Sequence, residues 1–160
     1  MDVKQLAVKS ALDAWNSRLE AANKMFSGLS DEDLQKEVAP GRNRGLYLLG
    51  HLAGVHDKML PLLGFGKELY PELEGMFLHK PDRAVADIPS ITEIRSMWDK
   101  VNSTLTGHLN KLTADEWFQK HTAVSDEDFA KEPHRNRMNV VIGRTNHLQY
   151  HMGQVALIKK

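Results

Sequence analysis

Apolar residues recur at intervals of three and four along four stretches of the chain, and this spacing predicts four long helices. The stretches cover residues 3–27, 44–63, 90–112 and 137–158. Such spacing places apolar side chains on one helical face, where they can pack against neighbouring helices. In the first stretch this face consists of Val8, Leu12, Trp15, Leu19, Ala22 and Phe26. Because no stretch has a convincing strand pattern, we expect an all-α fold.

Glycine, proline and capping residues predict where the helices begin and end. Gly28 follows the first stretch, and Ser90 with Glu93 forms the capping-box pattern at the start of the third. Residues 64–89 are rich in glycine and proline and predict a long connection, with a short helical piece around Pro71–Leu78. Residues 113–136 are polar and are expected to be irregular. We therefore predict one domain, residues 1–160, folded as a four-helix bundle with a long crossover connection.

The second predicted helix is apolar on two sides. One stripe is Leu46, Leu49, Ala53 and Leu60, and the other is Leu48, Leu52, Val55, Met59 and Leu62. A helix of this kind is usually central in a bundle or buried at an oligomer interface. His51 lies in the middle of this helix, so it is expected among apolar neighbours.

The charge balance and the absence of cysteine narrow the classes of function. Lysine plus arginine equals aspartate plus glutamate at 21 each, which argues against a nucleic-acid partner. No apolar run approaches the ~20 residues that span a bilayer, and the charged N-terminus does not resemble a signal peptide. The lack of cysteine excludes disulfides, thiolate metal sites and cysteine nucleophiles. We expect a cytoplasmic protein without a membrane partner.

Histidine is abundant, with eight residues in the chain, and two of them have the spacing of a metal site. His147 and His151 are four residues apart, so they lie ~40° apart on one helical face. Arg144 and Gln154 extend the same polar row in either direction. A pair of this kind also arises by chance in a histidine-rich chain, and two solvated or core-edge histidines are the alternative interpretation.

His51 strengthens the metal interpretation because a histidine on an apolar helix needs a partner. It is either a hydrogen-bonded core histidine or a third ligand that faces His147 and His151 from another helix. Three imidazoles would leave a coordination position open, as in catalytic zinc sites. His56 lies ~140° around the helix from His51 and is expected at the surface or an interface. His108 falls on the apolar stripe of the third helix and is expected at the edge of the core.

Other familiar sites are absent from the sequence. The chain contains no H-E-x-x-H motif, no pair of E-x-x-H motifs, no P-loop, no dinucleotide-binding glycine pattern and no G-x-S-x-G motif. A zinc-protease helix, a ferritin-like di-iron site and a serine-hydrolase elbow are therefore not expected.

Two segments resemble the DinB/YfiT-like family of metalloenzymes. The first is G-R-N-R-G-L-Y-L-L-G-H-L-A around His51, and the second is N-H-L-Q-Y-H-M-G-Q around His147 and His151. The resemblance extends over essentially the whole chain in length and helix layout, and its specific part is the three histidines with Gly153 and Gln154. Many relatives have a basic residue where Met152 stands.

The resemblance implies an up-up-down-down four-helix bundle, and frequent homodimers. It also implies that His51, His147 and His151 bind a divalent metal ion, most often zinc or nickel. Gln154 could hold the second ring nitrogen of a ligating histidine. Tyr47, one turn before His51, could reach the pocket or be an ordinary bundle aromatic.

Characterised relatives include transferases and isomerases that use low-molecular-weight thiols, so a thiol-dependent transferase is the first hypothesis. The thiol must come from a cosubstrate, and Arg42, Arg44 or Arg144 could bind its acidic groups. A metal-dependent hydrolase is the second hypothesis, weakened by the lack of an obvious carboxylate base near the predicted ligands. A non-catalytic, metal-binding stress-response bundle is the third. The sequence identifies no catalytic residue.

Overall fold

The computed structural model describes residues 1–159, and within them regular structure is helical, without strands. The helices are α1 (Val3–Ser27), α2 (Asp31–Leu34), α3 (Gly45–Asp57), α4 (Met59–Leu62), α5 (Ile91–Leu109), α6 (Ala114–Trp117), α7 (Asp126–Lys131) and α8 (Arg137–Val155). A π-helical turn covers Glu74–Leu78, and a 3-10 turn covers Ala156–Lys159. The predicted all-α fold is confirmed, and α1, α3, α5 and α8 are its four main helices.

Local capping fixes where two of these helices begin. Asp2 accepts a hydrogen bond from the backbone N–H of Gln5 at the start of α1, and Ser90 accepts one from Glu93 at the start of α5. Each pair forms a capping box, which satisfies donors that have no partner inside the helix. In the region predicted as irregular, Thr113 and Ser125 cap the short helices α6 and α7 in a similar way. Helices of four and six residues are too short to produce a visible periodicity.

The second predicted helix, residues 44–63, is in fact two helices that meet at Lys58. Pro61 explains the break, because its ring nitrogen cannot donate to the carbonyl of Asp57 and its ring crowds that carbonyl. The helix therefore ends at Asp57 and resumes at Met59. The carboxylate of Asp57 accepts hydrogen bonds from the backbone N–H groups of Leu69 and Tyr70, at 2.9 and 2.8 Å. These bonds hold the start of the long connection against the end of α3.

The directions of the four main helices differ from the predicted up-up-down-down order. Lys159, after α8, donates to the carbonyl of Gly28, after α1, so these two helices run the same way. Gly45, the first residue of α3, packs against Ile158, and Arg95 near the start of α5 donates to the carbonyl of Phe26. Both α3 and α5 therefore run opposite to α1.

The resulting order is up-down-down-up. The segment between α1 and α3 contains α2 and a tight turn, so α3 starts at the end of the bundle where α1 finishes. The predicted crossover is the connection between α4 and α5, residues 63–90, which links the parallel helices α3 and α5. The π-helical turn Glu74–Leu78 lies within this connection and packs on α3.

Side chains from all four main helices fill one apolar core. Its largest members that are almost wholly buried include Trp15, Trp117, Phe77, Leu34, Leu48 and Leu49. In α3 every residue is buried except Tyr47 and His51, which are partly exposed. The predicted central position of this helix is therefore correct. The last residue of the predicted domain, Lys160, lies outside the described residues, and the organisation of the chain as one domain stays a prediction.

The expectation that His56 lies at the surface or an interface is wrong. Its side chain is 0% exposed and lies between the rings of Trp15 and Trp98, with ring centroids 5.0 and 5.2 Å away. Its Nδ1–H donates to Oδ1 of Asn102 over 2.7 Å. Because α3 is enclosed on nearly all sides, a face turned away from His51 still points into the protein.

Across residues 1–159, no helix is both long enough and apolar enough to cross a membrane.

Candidate metal centre

The antiparallel packing of α3 and α8 brings three predicted residues together. Nε2 of His147 lies 3.3 Å from Nε2 of His51 and 3.1 Å from Nε2 of His151. All three rings are partly buried, and one nitrogen from each can be chosen so that the three lie within 4.8 Å of one another. This cluster is a group that could hold a metal ion, and we call it the three-histidine centre.

Hydrogen bonds behind the rings fix which nitrogens face one another. Nδ1 of His51 lies 2.9 Å from the backbone carbonyl of Phe77, which can only accept, so this nitrogen carries the proton. Nδ1 of His151 likewise donates to Oε1 of Gln154 over 2.8 Å. Neutral imidazole has one N–H, so Nε2 of His51 and of His151 each present a lone pair towards His147.

Hydrogen bonds within the three-histidine centre cannot pair all of its ring nitrogens. Nε2 of His147 faces two lone pairs and can donate one proton to only one of them. Nδ1 of His147 is buried and has no hydrogen-bond partner among the described residues. Whichever nitrogen of His147 carries the proton, at least one ring nitrogen of the cluster remains unsatisfied. When His147 carries its proton on Nδ1, all three Nε2 atoms present lone pairs to one another, and this arrangement fits a cation that accepts three lone pairs.

The distances fit an imidazole-bound divalent ion. Zinc–nitrogen bonds of 2.0–2.1 Å in tetrahedral geometry put neighbouring nitrogens roughly 3.3 Å apart. The two measured separations, 3.1 and 3.3 Å, are close to this value. Three ligands would leave one tetrahedral position open, as in catalytic rather than structural zinc sites. Imidazoles alone do not select one metal, because zinc, nickel and copper all accept them.

Burial keeps two of the rings in the form that binds metal. Burial, together with the charges of His151, His51 and Arg144, lowers the pKa of His147 to about 4. Burial also lowers the pKa of His151, although the hydrogen bond with Gln154 opposes this shift. Both side chains are therefore neutral near pH 7, which is the state in which a ring nitrogen can ligate an ion.

Of the two residues predicted to support the ligands, Gln154 and Tyr47, only the first bonds to a ring. Gln154 is one helical turn beyond His151 and orients it, as described above. Tyr47 stacks on His51, with ring centroids 6.2 Å apart and an interplanar angle of 13°. Its hydroxyl lies 2.7 Å from the carbonyl of Lys80 and 3.1 Å from that of Phe77. The hydroxyl therefore anchors the long connection, and it is the ring that contacts His51.

The sequence reasoning missed the carbonyl of Phe77 as the partner of His51. Every residue has a backbone carbonyl, so no residue type marks this role. The positioning comes from the π-helical turn Glu74–Leu78, in which the Phe77 side chain is buried against Gly50 on α3. A glycine one position before His51 was visible in the sequence, and it marks the close approach of another segment.

The other histidines do not join the three-histidine centre. His108 is partly exposed and stacks on Phe65 at 4.8 Å, as a core-edge residue would. His56 is enclosed by tryptophans, and His79 pairs with Glu74. In residues 1–159, no other group of histidine and acidic side chains has the geometry of a metal site.

A polar cleft lies beside the three-histidine centre. It has a volume of ≈ 510 Å³ and is lined by Arg42, Asn43, Tyr150 and Gln154, among others. Gln154 borders both the cleft and His151, and the ring of Tyr150 lies 5.0 Å from that of His151. Clefts of roughly 300–1,000 Å³ are typical of small-molecule sites.

Comparison with known proteins adds a family assignment. No curated protein matches the chain. The sequence model of the DinB superfamily matches residues 14–155, which include His51, His147 and His151 and most of the chain. The chain therefore belongs to the DinB superfamily.

Proposed function

We propose that this protein is a metal-dependent transferase that joins a low-molecular-weight thiol to an electrophile. The observation that carries the proposal is a cluster of three imidazoles with no carboxylate beside it. None of the described acidic groups bonds to His51, His147 or His151, and no acidic group contributes to the pKa shifts of His147 and His151. Water is a weak acid, with a pKa of about 15.7, so hydrolysis is usually assisted by a base. A thiol has a pKa of about 8.5 and loses its proton far more easily, so it depends less on a carboxylate beside the centre.

The proposal assigns one role to the metal ion, which is to activate the thiol. A bound divalent ion, zinc or nickel, would favour the deprotonated form of a thiol and hold it at the open position. In the overall reaction the sulfur would form a bond to the electrophilic carbon, the leaving group would depart with the electron pair of the broken bond, and the thiol proton would pass to solvent.

Residues of the chain hold the histidine rings in the orientation and protonation state that bind a metal ion. Phe77 and Gln154 hold the rings of His51 and His151 so that their lone pairs converge. Burial keeps His147 deprotonated well below neutral pH. The polar cleft borders Gln154, on the Nδ1 side of His151, and the three histidines are not among the residues that line it.

A direct test is turnover of a fluorogenic electrophile such as monochlorobimane with glutathione or cysteine, using zinc-loaded, nickel-loaded and metal-free protein. We expect a metal-dependent rate that His147→Ala abolishes. His134→Ala is the matched control, because His134 is an exposed histidine outside the cluster, and it should retain the wild-type rate. No metal-dependent rate with any thiol in a broad panel would contradict the proposal.

We also propose that the protein forms a homodimer through the outer face of α8. Ile142, Tyr150 and Leu157 are 43%, 64% and 41% exposed and lie along one side of α8 and the turn that follows it. The chain has zero net charge, which leaves little repulsion between copies. Sedimentation equilibrium should give twice the monomer mass and should give the monomer mass for Ile142→Asp. A monomeric wild type would contradict this proposal.

A further inference from the structure

Arg144 is a partly buried arginine without a partner. It lies on α8, one helical turn before His147. It has no hydrogen bond or ion pair with any described residue, and burial alone lowers the pKa of its guanidinium. Partial burial weakens the hydration of this charge, and no described residue replaces the lost water with a hydrogen bond.

Arg144 shares one face of α8 with two of the histidines, because His147 and His151 follow it by three and seven residues on the same helix. Its positive charge contributes to the lowered pKa of His147. None of the guanidinium nitrogens is among the sealed, unsatisfied atoms of the protein, so they remain open to an incoming molecule.

The charge around the three-histidine centre is one-sided. The hydrogen-bond partners of the three rings are the Phe77 carbonyl, the Gln154 amide and one another, with no carboxylate among them. A divalent ion held by neutral imidazoles would add two further positive charges. The centre would then be positively charged with no carboxylate bonded to its histidines, and a positive charge of this kind attracts anions.

The other two arginines that could bind an acidic cosubstrate differ from Arg144. Arg44 is already paired with Asp82, with nitrogen–oxygen distances of 2.7–3.1 Å, and it occupies the N-cap position of α3. Arg42 is exposed at the rim of the polar cleft, so water can solvate its charge. Only Arg144 combines partial burial, a free guanidinium and a position in the row of the histidines.

We infer that Arg144 is the anchor for a carboxylate on the thiol cosubstrate, which places the sulfur at the three-histidine centre. This inference rests on the proposed function and adds the substrate class: an anionic thiol in preference to a neutral one. A guanidinium binds a carboxylate through two parallel hydrogen bonds, which fixes orientation as well as affinity. The carboxylate also supplies the counter-charge that the fold lacks.

The test is calorimetric binding to the zinc-loaded protein, without turnover. Two of the probes are thiols: 3-mercaptopropionate carries a carboxylate, and 3-mercapto-1-propanol carries a neutral alcohol in its place. The third probe, propionate, has the carboxylate but no thiol. Wild type is compared with Arg144→Gln and Arg144→Lys. Arg18→Gln is the matched control, because Arg18 is an exposed arginine on α1.

We expect wild type to prefer 3-mercaptopropionate over the alcohol by about tenfold, since a charge-assisted hydrogen bond contributes this much or more. Arg144→Gln should remove the preference, Arg144→Lys should keep part of it, and Arg18→Gln should leave it unchanged. The melting temperature of Arg144→Gln should equal or exceed that of wild type, because no hydrogen bond or ion pair within the described chain is lost. A structural arginine would instead lower the melting temperature when replaced.

The same preference in wild type and Arg144→Gln would overturn the inference. If neither thiol binds, the thiol proposal is contradicted instead, and the affinity for propionate then tests the role of Arg144. Propionate should bind about tenfold more weakly to Arg144→Gln than to wild type. Equal affinity of both proteins for propionate would show that Arg144 does not bind the carboxylate.

Discussion

Replacing Gly50 by alanine should loosen the three-histidine centre without touching a ligand. A Cβ at this position would lie 2.7–2.8 Å from three ring atoms of Phe77, whereas real Cβ atoms essentially never come closer than 3.0 Å to a neighbour. The Phe77 ring is 1% exposed and is enclosed by the core, so it cannot move aside alone. The displacement must pass to the π-helical turn, whose Phe77 carbonyl accepts the hydrogen bond from His51.

Two opposing effects determine how Gly50→Ala changes the free energy of unfolding. Overpacking a core costs about 1–3 kcal/mol, and exchanging glycine for alanine within a helix contributes about 1 kcal/mol of stability. Gly143→Ala is the matched control, because a Cβ at Gly143 meets nothing within 4 Å. The free energy of unfolding of the metal-free Gly50→Ala protein should therefore lie about 1–3 kcal/mol below that of Gly143→Ala.

Metal affinity provides the second measurement. Loss of the group that orients a ligating histidine typically weakens binding 10–100-fold. Competition with a chromophoric chelator should show a shift of this order for Gly50→Ala and none for Gly143→Ala. If Gly50→Ala binds zinc as tightly as wild type, the Phe77 carbonyl does not position His51 and this part of the account is wrong.

Three further substitutions test separate contacts. Gln154→Leu removes the acceptor 2.8 Å from Nδ1 of His151 and should weaken zinc binding about tenfold; chelator competition measures this, and an unchanged affinity, equal to that of the exposed-site control Gln149→Leu, would refute the role. His56→Gln should reduce the pH dependence of stability in chelator-treated protein. Burial lowers the pKa of His56 to about 4 from 6.5, so the unfolded chain takes up a proton first and stability falls as pH falls from 6.5 towards 4. Wild type should lose up to about 1.4 kcal/mol per pH unit more than His56→Gln in urea unfolding, and parallel curves would contradict this. Asp82→Ala leaves the partly buried Arg44 unpaired and should lower the free energy of unfolding by about 3 kcal/mol; a loss below about 1 kcal/mol would mean that this ion pair behaves as a solvated surface pair.

The sequence predicts the main helices well because a bundle helix must repeat its apolar positions every three to four residues. The break at Lys58 was not predicted, although Pro61 was visible, since proline acts on the carbonyl four residues earlier rather than at its own position. Helix direction was also mispredicted. It depends on how the segment between α1 and α3 folds back, and that segment has no periodic pattern.

The convergence of His51, His147 and His151 was predicted in part from spacing and in part from the family resemblance. Spacing alone relates His147 to His151, since both lie on α8. Only the packing of α3 against α8 relates them to His51. The burial of His56 could have been inferred from the two apolar stripes of its helix, because a helix buried on both sides has little outer face. The roles of the Phe77 carbonyl and of unpaired Arg144 depend on tertiary contacts that no local pattern reports.

The central claim is that His51, His147 and His151 hold one divalent ion. The most direct measurement is elemental analysis of protein that has been loaded with zinc or nickel and then desalted, with wild type beside His147→Ala, His151→Ala and the exposed-site control His134→Ala. We predict one equivalent of metal in wild type and in His134→Ala, and much less than one in the two ligand variants. Wild type without bound metal, or ligand variants that retain a full equivalent, would contradict the account.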